Sequence, residues 1–184
     1  VRVLEIGCGA GANLWFLARE GFCIHGVDGS ETAVRNSLER LDRECPGWRR
    51  GDARVATGDF TRIEYPDAHF DAVIDIAAGC YVDTDAAAAL YELLAGMTKP
   101  QGKLFCRTFE SGCWGDGTGE RVGRASWRCS EGPLAGGGAV RFTRVDDVPN
   151  LFRGWRVDRI ERMVQTEGGR AHEIRHLQIE ATRA

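Results

Sequence analysis

Short, nearly continuous apolar runs alternate with segments of helical periodicity along residues 1–109 of this chain. The runs with strand character are 1–6, 22–27, 53–57, 70–76 and 103–109. Apolar residues at helical spacing follow the first two runs and recur from Thr84 to Met97. Strands that are buried on both faces carry continuous rather than alternating apolar residues. The pattern therefore predicts a parallel sheet with helices on both faces.

The rest of the chain has a different composition. Residues 110–139 are rich in glycine, which predicts a long irregular loop, and such loops in compact domains are usually functional. Two further segments with strand character, 155–164 and 172–182, are joined through Glu167-Gly168-Gly169 and predict an antiparallel hairpin. Neither a repeat nor a linker interrupts the sequence, so we predict a single domain over residues 1–184.

Composition and charge restrict the class of protein. The fractions of 43% apolar and 28% charged residues are typical of a globular protein. A net charge of -3 disfavours nucleic acid as a partner, because nucleic-acid-binding proteins carry an excess of Lys and Arg. No run approaches the ~20 apolar residues that cross a bilayer. We therefore expect no membrane partner. The seven cysteines include no C-x-x-C pair, so we expect reduced thiols, no metal site and a cytoplasmic protein.

The turn after the first predicted strand carries the most informative motif, VLEIGCGAG at residues 3–11. Glycines between a strand and a helix let a ligand approach the backbone. An acidic residue at the end of the next strand, here Asp28, can accept hydrogen bonds from ribose hydroxyls. The G-x-G-x-G spacing differs from the G-x-G-x-x-G of dinucleotide sites. Glu5 would repel a pyrophosphate but suits a cationic amino group, so the motif favours a nucleoside cofactor without phosphate.

Five motifs in this order resemble those of class I S-adenosylmethionine (SAM)-dependent methyltransferases of the small-molecule type. They are VLEIGCGAG at 3–11, GVDGS at 26–30, GDF at 58–60, FDAVID at 70–75 and KPQGKL at 99–104. The resemblance covers roughly residues 1–109. It implies an α/β, Rossmann-like doubly wound sheet of seven strands, mostly parallel, with an antiparallel C-terminal hairpin.

The same resemblance implies a SAM site at the ends of the first four strands. Asp28 would bind the ribose hydroxyls, and Asp59 with Phe60 would flank the adenine. The residues nearest the methionine would come from the glycine turn and from the end of the fourth strand. The full set of implied cofactor residues is Glu5, Gly7, Cys8, Gly9, Asp28, Gly29, Ser30, Asp59, Phe60, Asp75, Ile76 and Ala77.

The acceptor site is less determined by sequence. Methyl transfer from a sulfonium depends mainly on alignment of the acceptor with the methyl group, and it does not always need a general base. Tyr81, Glu110 and His172 are the candidate catalytic residues; the first two follow strand ends, where α/β sheets bind ligands. For His172 a structural role is the simpler interpretation. Signatures resembling those of nucleic-acid methyltransferases are absent, so we predict a small-molecule acceptor, methylated at oxygen or nitrogen rather than carbon.

Two other functions stay open at this point. One is an NAD(P)-dependent oxidoreductase on a similar sheet, which the glycine spacing and Glu5 disfavour. The other is a SAM-binding partner subunit without catalysis. The chain begins within the first strand, at Val1, so we expect a natural segment to precede it. The resemblance implies that such a segment covers the cofactor and forms part of the acceptor pocket. The oligomeric state is not readable from the sequence.

Overall fold

The computed structural model describes residues 1–184, the whole chain. Seven of its strands form one sheet, and three short strands form a second sheet. The strands are β1 (Arg2–Ile6), β2 (Cys23–Asp28), β3 (Arg54–Thr57), β4 (Phe70–Ile76), β5 (Thr98–Phe109), β6 (Glu120–Gly123), β7 (Ser126–Arg128), β8 (Val140–Arg141), β9 (Trp155–Glu167) and β10 (His172–Arg183). The helices are α1 (Ala12–Arg19), α2 (Glu31–Glu44), α3 (Thr84–Met97) and α4 (Val148–Leu151).

The large sheet has the strand order β3-β2-β1-β4-β5-β10-β9. β1 to β5 run parallel to one another, whereas β10 is antiparallel to both β5 and β9. This topology confirms the predicted doubly wound sheet with its antiparallel C-terminal hairpin. β4 and α3 have the predicted bounds. β5 begins earlier, at Thr98, and the turn that contains Gln101 (φ 64°) bulges out of its pairing with β4.

Helices pack on both faces of this sheet, as the continuous apolar runs predict. α3 and α4 cover the face that carries Leu4 and Phe70 in the largest core cluster. α1 and α2 cover the opposite face around Ile24. Ser30 caps α2 by accepting a hydrogen bond from the Ala33 amide at 3.2 Å, which confirms it as the start of that helix.

The interpretation of residues 110–139 as an irregular loop is only partly correct. This segment and the residues after it contain β6, β7 and β8, which form a three-stranded antiparallel sheet. A third core cluster, including Phe109, Cys113 and Phe142, lies beneath it. The strands have only four, three and two residues, so their apolar positions are too few to show a period in the sequence.

All seven cysteines are free thiols, and every one except Cys23 is buried. No helix in the structure combines the length and the apolar character that a membrane span requires.

Candidate functional site

The carboxyl ends of β1, β2, β3 and β4 meet at one edge of the sheet. β2 and β3 lie on one side of β1 in the sheet, and β4 and β5, which come later in the chain, lie on its other side. Ligands of open α/β sheets bind at this switch in strand order. The glycine turn between β1 and α1 lies there, which makes this edge the candidate site.

The glycine turn is held to the end of β2 by Asp28. Gly7, Gly9 and Gly11 all have positive φ, between 51° and 76°, a conformation that other residues adopt only with strain. The amide of Gly9 donates to Asp28 Oδ2 at 2.8 Å, and the amide of Ser30 donates to Oδ1 at 2.8 Å. Each carboxylate oxygen can accept a further hydrogen bond. Asp28 is half-buried, so a ligand can reach it.

Glu5 is buried beneath the turn with one oxygen unpaired. Its Oε1 accepts a hydrogen bond from Asn13 Nδ2 at 2.6 Å, whereas Oε2 has no partner. The pKa of Glu5 is raised to about 7, chiefly by burial and to a smaller extent by the nearby carboxylates of Asp75 and Asp28, while the Asn13 hydrogen bond acts in the opposite direction. A buried carboxylate oxygen without a partner is unfavourable when ionised. A cation at this position would relieve that cost.

Asp75 does not face the site through its side chain. It is fully buried, and its Oδ1 accepts from the amides of Ala78 and Gly79 at 3.0 Å each. Its Oδ2 accepts from the hydroxyl of Tyr91 at 2.8 Å. The carboxylate therefore holds the chain that leaves β4, and the expectation that Asp75 contacts the cofactor stays a prediction. Ile76 and Ala77 are half-buried beyond it, and Ala77 has a positive φ of 56°.

The residues predicted to flank an adenine lie beyond the end of β3. Asp59 is exposed, and its carboxylate accepts from the amide and hydroxyl of Thr61 at 2.9 and 2.7 Å. Phe60 is half-buried against the main core. An open cavity of about 230 Å³ adjoins Asp59 and is lined by Val27 and Ile63. The end of β3 thus offers a carboxylate beside a space of partly apolar character.

Two small positions on this edge differ in what surrounds them. Gly29 has open space where a side chain would project, because an added Cβ meets no atom within 4 Å. Cys8 is buried, and burial raises the pKa of its thiol to about 12. Its thiol is therefore neutral at physiological pH and contributes packing. Its amide extends the pairing of β1 with β2 by donating to the Val27 carbonyl at 3.1 Å.

The three candidate catalytic residues lie in different surroundings. Tyr81 follows β4, is 49% exposed and lines a cavity of about 380 Å³. Glu110 is buried, and Arg162 donates to it through two nitrogens, Nε at 2.6 Å. His172 stacks on the Trp114 ring at 3.9 Å between centroids. Only Tyr81 of the three borders this cavity. The contacts of Glu110 with Arg162 and of His172 with Trp114 give those two residues structural roles.

Arg141 is a residue that sequence reasoning missed. It lies on β8, is almost fully buried and borders the same cavity as Tyr81. Its guanidinium donates to the carbonyls of Gly79 and Val82 at 2.9 and 2.8 Å. These bonds join the small sheet to the segment after β4. No signal in the sequence could have found it, because the contact depends on the fold of residues 110–141.

The family model described as a methyltransferase domain matches residues 3–102. The matched region exceeds half of the chain and runs from β1 into β5, so it includes the glycine turn, Asp28 and Asp59. The chain belongs to the methyltransferase-domain family. This confirms the resemblance found in the motifs and favours a methyltransferase over an NAD(P)-dependent oxidoreductase.

Relatives and solved structures agree with this assignment. An uncharacterized methyltransferase of Schizosaccharomyces pombe is 33% identical over 79 residues, which are 43% of this chain and 50% of that protein. The chain thus spans about half the length of the curated relatives it matches. A SAM-dependent methyltransferase from Mesorhizobium loti has a TM-score of 0.77 at 17% identity, covering 99% of this chain and 90% of the other.

A third similar structure contains bound ligands. It is 1,6-didemethyltoxoflavin-N1-methyltransferase from Burkholderia thailandensis, determined with 1,6-didemethyltoxoflavin and S-adenosylhomocysteine. Its TM-score is 0.69 at 16% identity, and the match covers 100% of this chain and 71% of the other. At this identity the two proteins share a fold.

Proposed function

We propose that this methyltransferase domain binds SAM across the carboxyl ends of β1, β2 and β3 and transfers its methyl group to a small molecule, at oxygen or nitrogen. The observation that carries the proposal is the unpaired, buried Oε2 of Glu5 beneath the glycine turn. A ligand that brings an ammonium group to this point supplies the missing partner. SAM carries such a group on its methionine portion and has no phosphate for Glu5 to repel.

The remaining cofactor residues fit the same ligand. Gly7 and Gly9 would keep the turn close to the methionine portion of SAM. An added Cβ at Gly9 meets no atom within 4 Å, so there is open space beside Gly9 for the methionine portion. Asp28 would accept hydrogen bonds from the ribose hydroxyls, with Gly29 and Ser30 beside it. Asp59 would accept from the adenine amino group, and Phe60 would contact the ring.

The acceptor is assigned to the space beside Tyr81. Bound SAM supplies an activated methyl group on a sulfonium, so the residues of the chain need mainly to orient the acceptor and exclude water. The cavity of about 380 Å³ has the size of small-molecule sites, and Thr61, Tyr81 and Asp83 give it polar groups. Burial raises the pKa of Tyr81, so its phenol stays neutral and can hydrogen-bond an oxygen or nitrogen acceptor.

Binding of SAM and S-adenosylhomocysteine should raise the midpoint of thermal unfolding. At ~100 times its dissociation constant a ligand stabilises the folded state by about 2.7 kcal/mol. For a domain of this size the midpoint should rise by roughly 5–10 °C. Asp28→Ala should abolish the shift, and NADH should give none. A shift with NADH alone would contradict the proposal. Binding without any S-adenosylhomocysteine formed from SAM and small acceptors would favour a non-catalytic partner subunit.

Gly9→Ala and Gly7→Ala should separate ligand binding from folding. A Cβ at Gly9 meets no atom, whereas one at Gly7 lies 2.3 Å from Ala78 Cβ. Gly9→Ala should cost about 1–2 kcal/mol of stability from its positive φ and weaken SAM binding by at least ~10-fold. Gly7→Ala adds overpacking and should cost about 2–5 kcal/mol in total. Urea denaturation and calorimetric titration measure the two effects. A Gly9→Ala protein that binds SAM as tightly as the wild type would show that the space at Gly9 is not kept for a ligand.

A further inference from the structure

Four side chains that can bind a metal meet at the opposite edge of the sheet. Cys23 begins β2, and His25 lies two residues further on, so both project from the same face of that strand. Asp52 lies just before β3, and His69 just before β4. This is the edge where the parallel strands begin, whereas the candidate cofactor site lies where they end. The proposed methyl transfer uses none of these four residues.

The distances between the ligand atoms suit one small cation. Cys23 Sγ lies 3.8 Å from His25 Nε2 and 3.4 Å from Asp52 Oδ1, and the last two atoms are 3.7 Å apart. Tetrahedral zinc, with bonds of about 2.0–2.3 Å, separates its ligand atoms by roughly 3.3–3.6 Å. The ligand atoms of Cys23, His25 and Asp52 all lie within 4.8 Å of one another. His69 stands just outside this group, with Nε2 2.8 Å from the other oxygen of Asp52, so its side chain would have to rotate to reach the same centre.

Both imidazoles place a nitrogen near the carboxylate of Asp52. The ring of His25 is 2% exposed and packs edge-on against Tyr65 and Phe70, with Nδ1 3.4 Å from the Tyr65 hydroxyl. Burial lowers the pKa of His25, which keeps the ring neutral as a metal ligand must be. His69 Nε2 is buried and makes no hydrogen bond, although it is close to Asp52.

We propose that Cys23, His25, Asp52 and His69 form a four-coordinate zinc site at the amino-terminal edge of the sheet. The thiolate and the carboxylate together balance the charge of Zn²⁺. Sulfur and imidazole ligands select zinc over Mg²⁺ and Ca²⁺, which prefer oxygen. Four protein ligands leave no open position, as in structural rather than catalytic sites. The metal would therefore fasten β2 to the segments that enter β3 and β4.

Two features of the cluster set the conditions for binding. Arg2 Nε lies 2.9 Å from Asp52 Oδ1, so the guanidinium and the metal must share this carboxylate. The Cys23 thiol donates to the Arg50 carbonyl at 3.3 Å and to Asp52 Oδ1 at 3.4 Å, and it must give up this proton to bind the metal. The absence of C-x-x-C pairs predicted that the chain has no metal site. The proposed ligands come from three separate segments of the chain, so no such spacing could indicate them.

The test uses the whole chain, prepared without a histidine tag. After EDTA treatment and dialysis, Zn²⁺ should bind at one equivalent and raise the thermal midpoint, and EDTA should reverse the shift. Co²⁺ in its place should give the thiolate-to-cobalt charge-transfer band and the visible bands of a tetrahedral site. Less than stoichiometric zinc, or cobalt spectra without the thiolate band, would overturn the proposal.

Matched variants assign the ligands. Cys23→Ser should remove the charge-transfer band, and His69→Ala should weaken zinc binding by more than ~100-fold, since outer-shell partners alone contribute ~10–100-fold. Cys129→Ser and His172→Ala, just after β7 and at the start of β10, should keep both signals. If Cys23→Ser does not fold, His69→Ala decides the question, because His69 is 16% exposed and tolerates truncation better. Unchanged affinity in His69→Ala, or an equal loss in the controls, would contradict the assignment.

Discussion

The Glu5→Gln variant is expected to be more stable than the wild-type protein above pH 7 and to lose most of its affinity for SAM. In the folded protein burial raises the pKa of Glu5 from 4.5 to about 7. Between these two values the folded state binds more protons than the unfolded state, so the wild-type free energy of unfolding falls as pH rises. Well above pH 7 the wild-type protein has lost about 3 kcal/mol of its free energy of unfolding, because each unit of the pKa difference corresponds to about 1.4 kcal/mol. Gln cannot ionise, so the Glu5→Gln protein does not lose this stability.

The same substitution removes the group that would pair with the ammonium of SAM. The carbonyl oxygen of Gln can still accept the hydrogen bond from Asn13, so the packing beneath the turn is kept. Urea denaturation at pH 5 and pH 8 measures stability, and calorimetric titration measures binding. Glu39→Gln, at an exposed position on α2, is the control and should change neither quantity. A Glu5→Gln protein that binds SAM as tightly as the wild type would refute the assigned role.

Asp75→Ala should cause a large loss of stability. It leaves the amides of Ala78 and Gly79 and the hydroxyl of Tyr91 without their buried acceptor. Each unsatisfied buried group costs about 1–3 kcal/mol, and partial relaxation should leave a total near ~4 kcal/mol. That is a large fraction of the ~5–15 kcal/mol that stabilises a folded domain. The midpoint of thermal unfolding should fall by roughly 10 °C.

Asp75→Asn is the matched control, because its amide oxygen can still accept from the two backbone amides. It should lose less than half as much stability as Asp75→Ala and keep SAM binding when measured well below its midpoint. Denaturation and titration of both variants separate the structural role from a cofactor role. Normal stability with lost SAM binding in Asp75→Ala would instead support the cofactor contact expected from the motif.

The elements that could be predicted are those with a long, regular apolar pattern. β4 and α3 agree with their predicted bounds, since each is long enough to show its period. β6 to β8 could not be predicted, because strands of two to four residues in a glycine-rich segment are too short to show an apolar period. They are stabilised by the cluster around Phe109 and Phe142, and Phe109 lies far from them in sequence.

The candidate site divides in the same way. Glu5, Gly9 and Asp28 come together through one strand–turn–helix unit and its neighbouring strand, so a local motif was enough to place them. Asp75 has the right position along its strand, but Tyr91 and the turn at Ala78 direct its carboxylate inward. The direction of a side chain depends on its partners, and these partners lie on another element.

The sequence by itself determined the doubly wound sheet, its antiparallel hairpin and the glycine turn with Asp28, because periodicity and turn chemistry act between residues close along the chain. The tertiary structure alone decided three further features: the ion pair of the buried Glu110 with the exposed Arg162, the attachment of Arg141 behind Tyr81, and the group of Cys23, His25 and Asp52 with His69 beside it. Each joins segments that are distant in sequence. Such contacts exist only after the strands have taken their order in the sheet, and no local pattern encodes them.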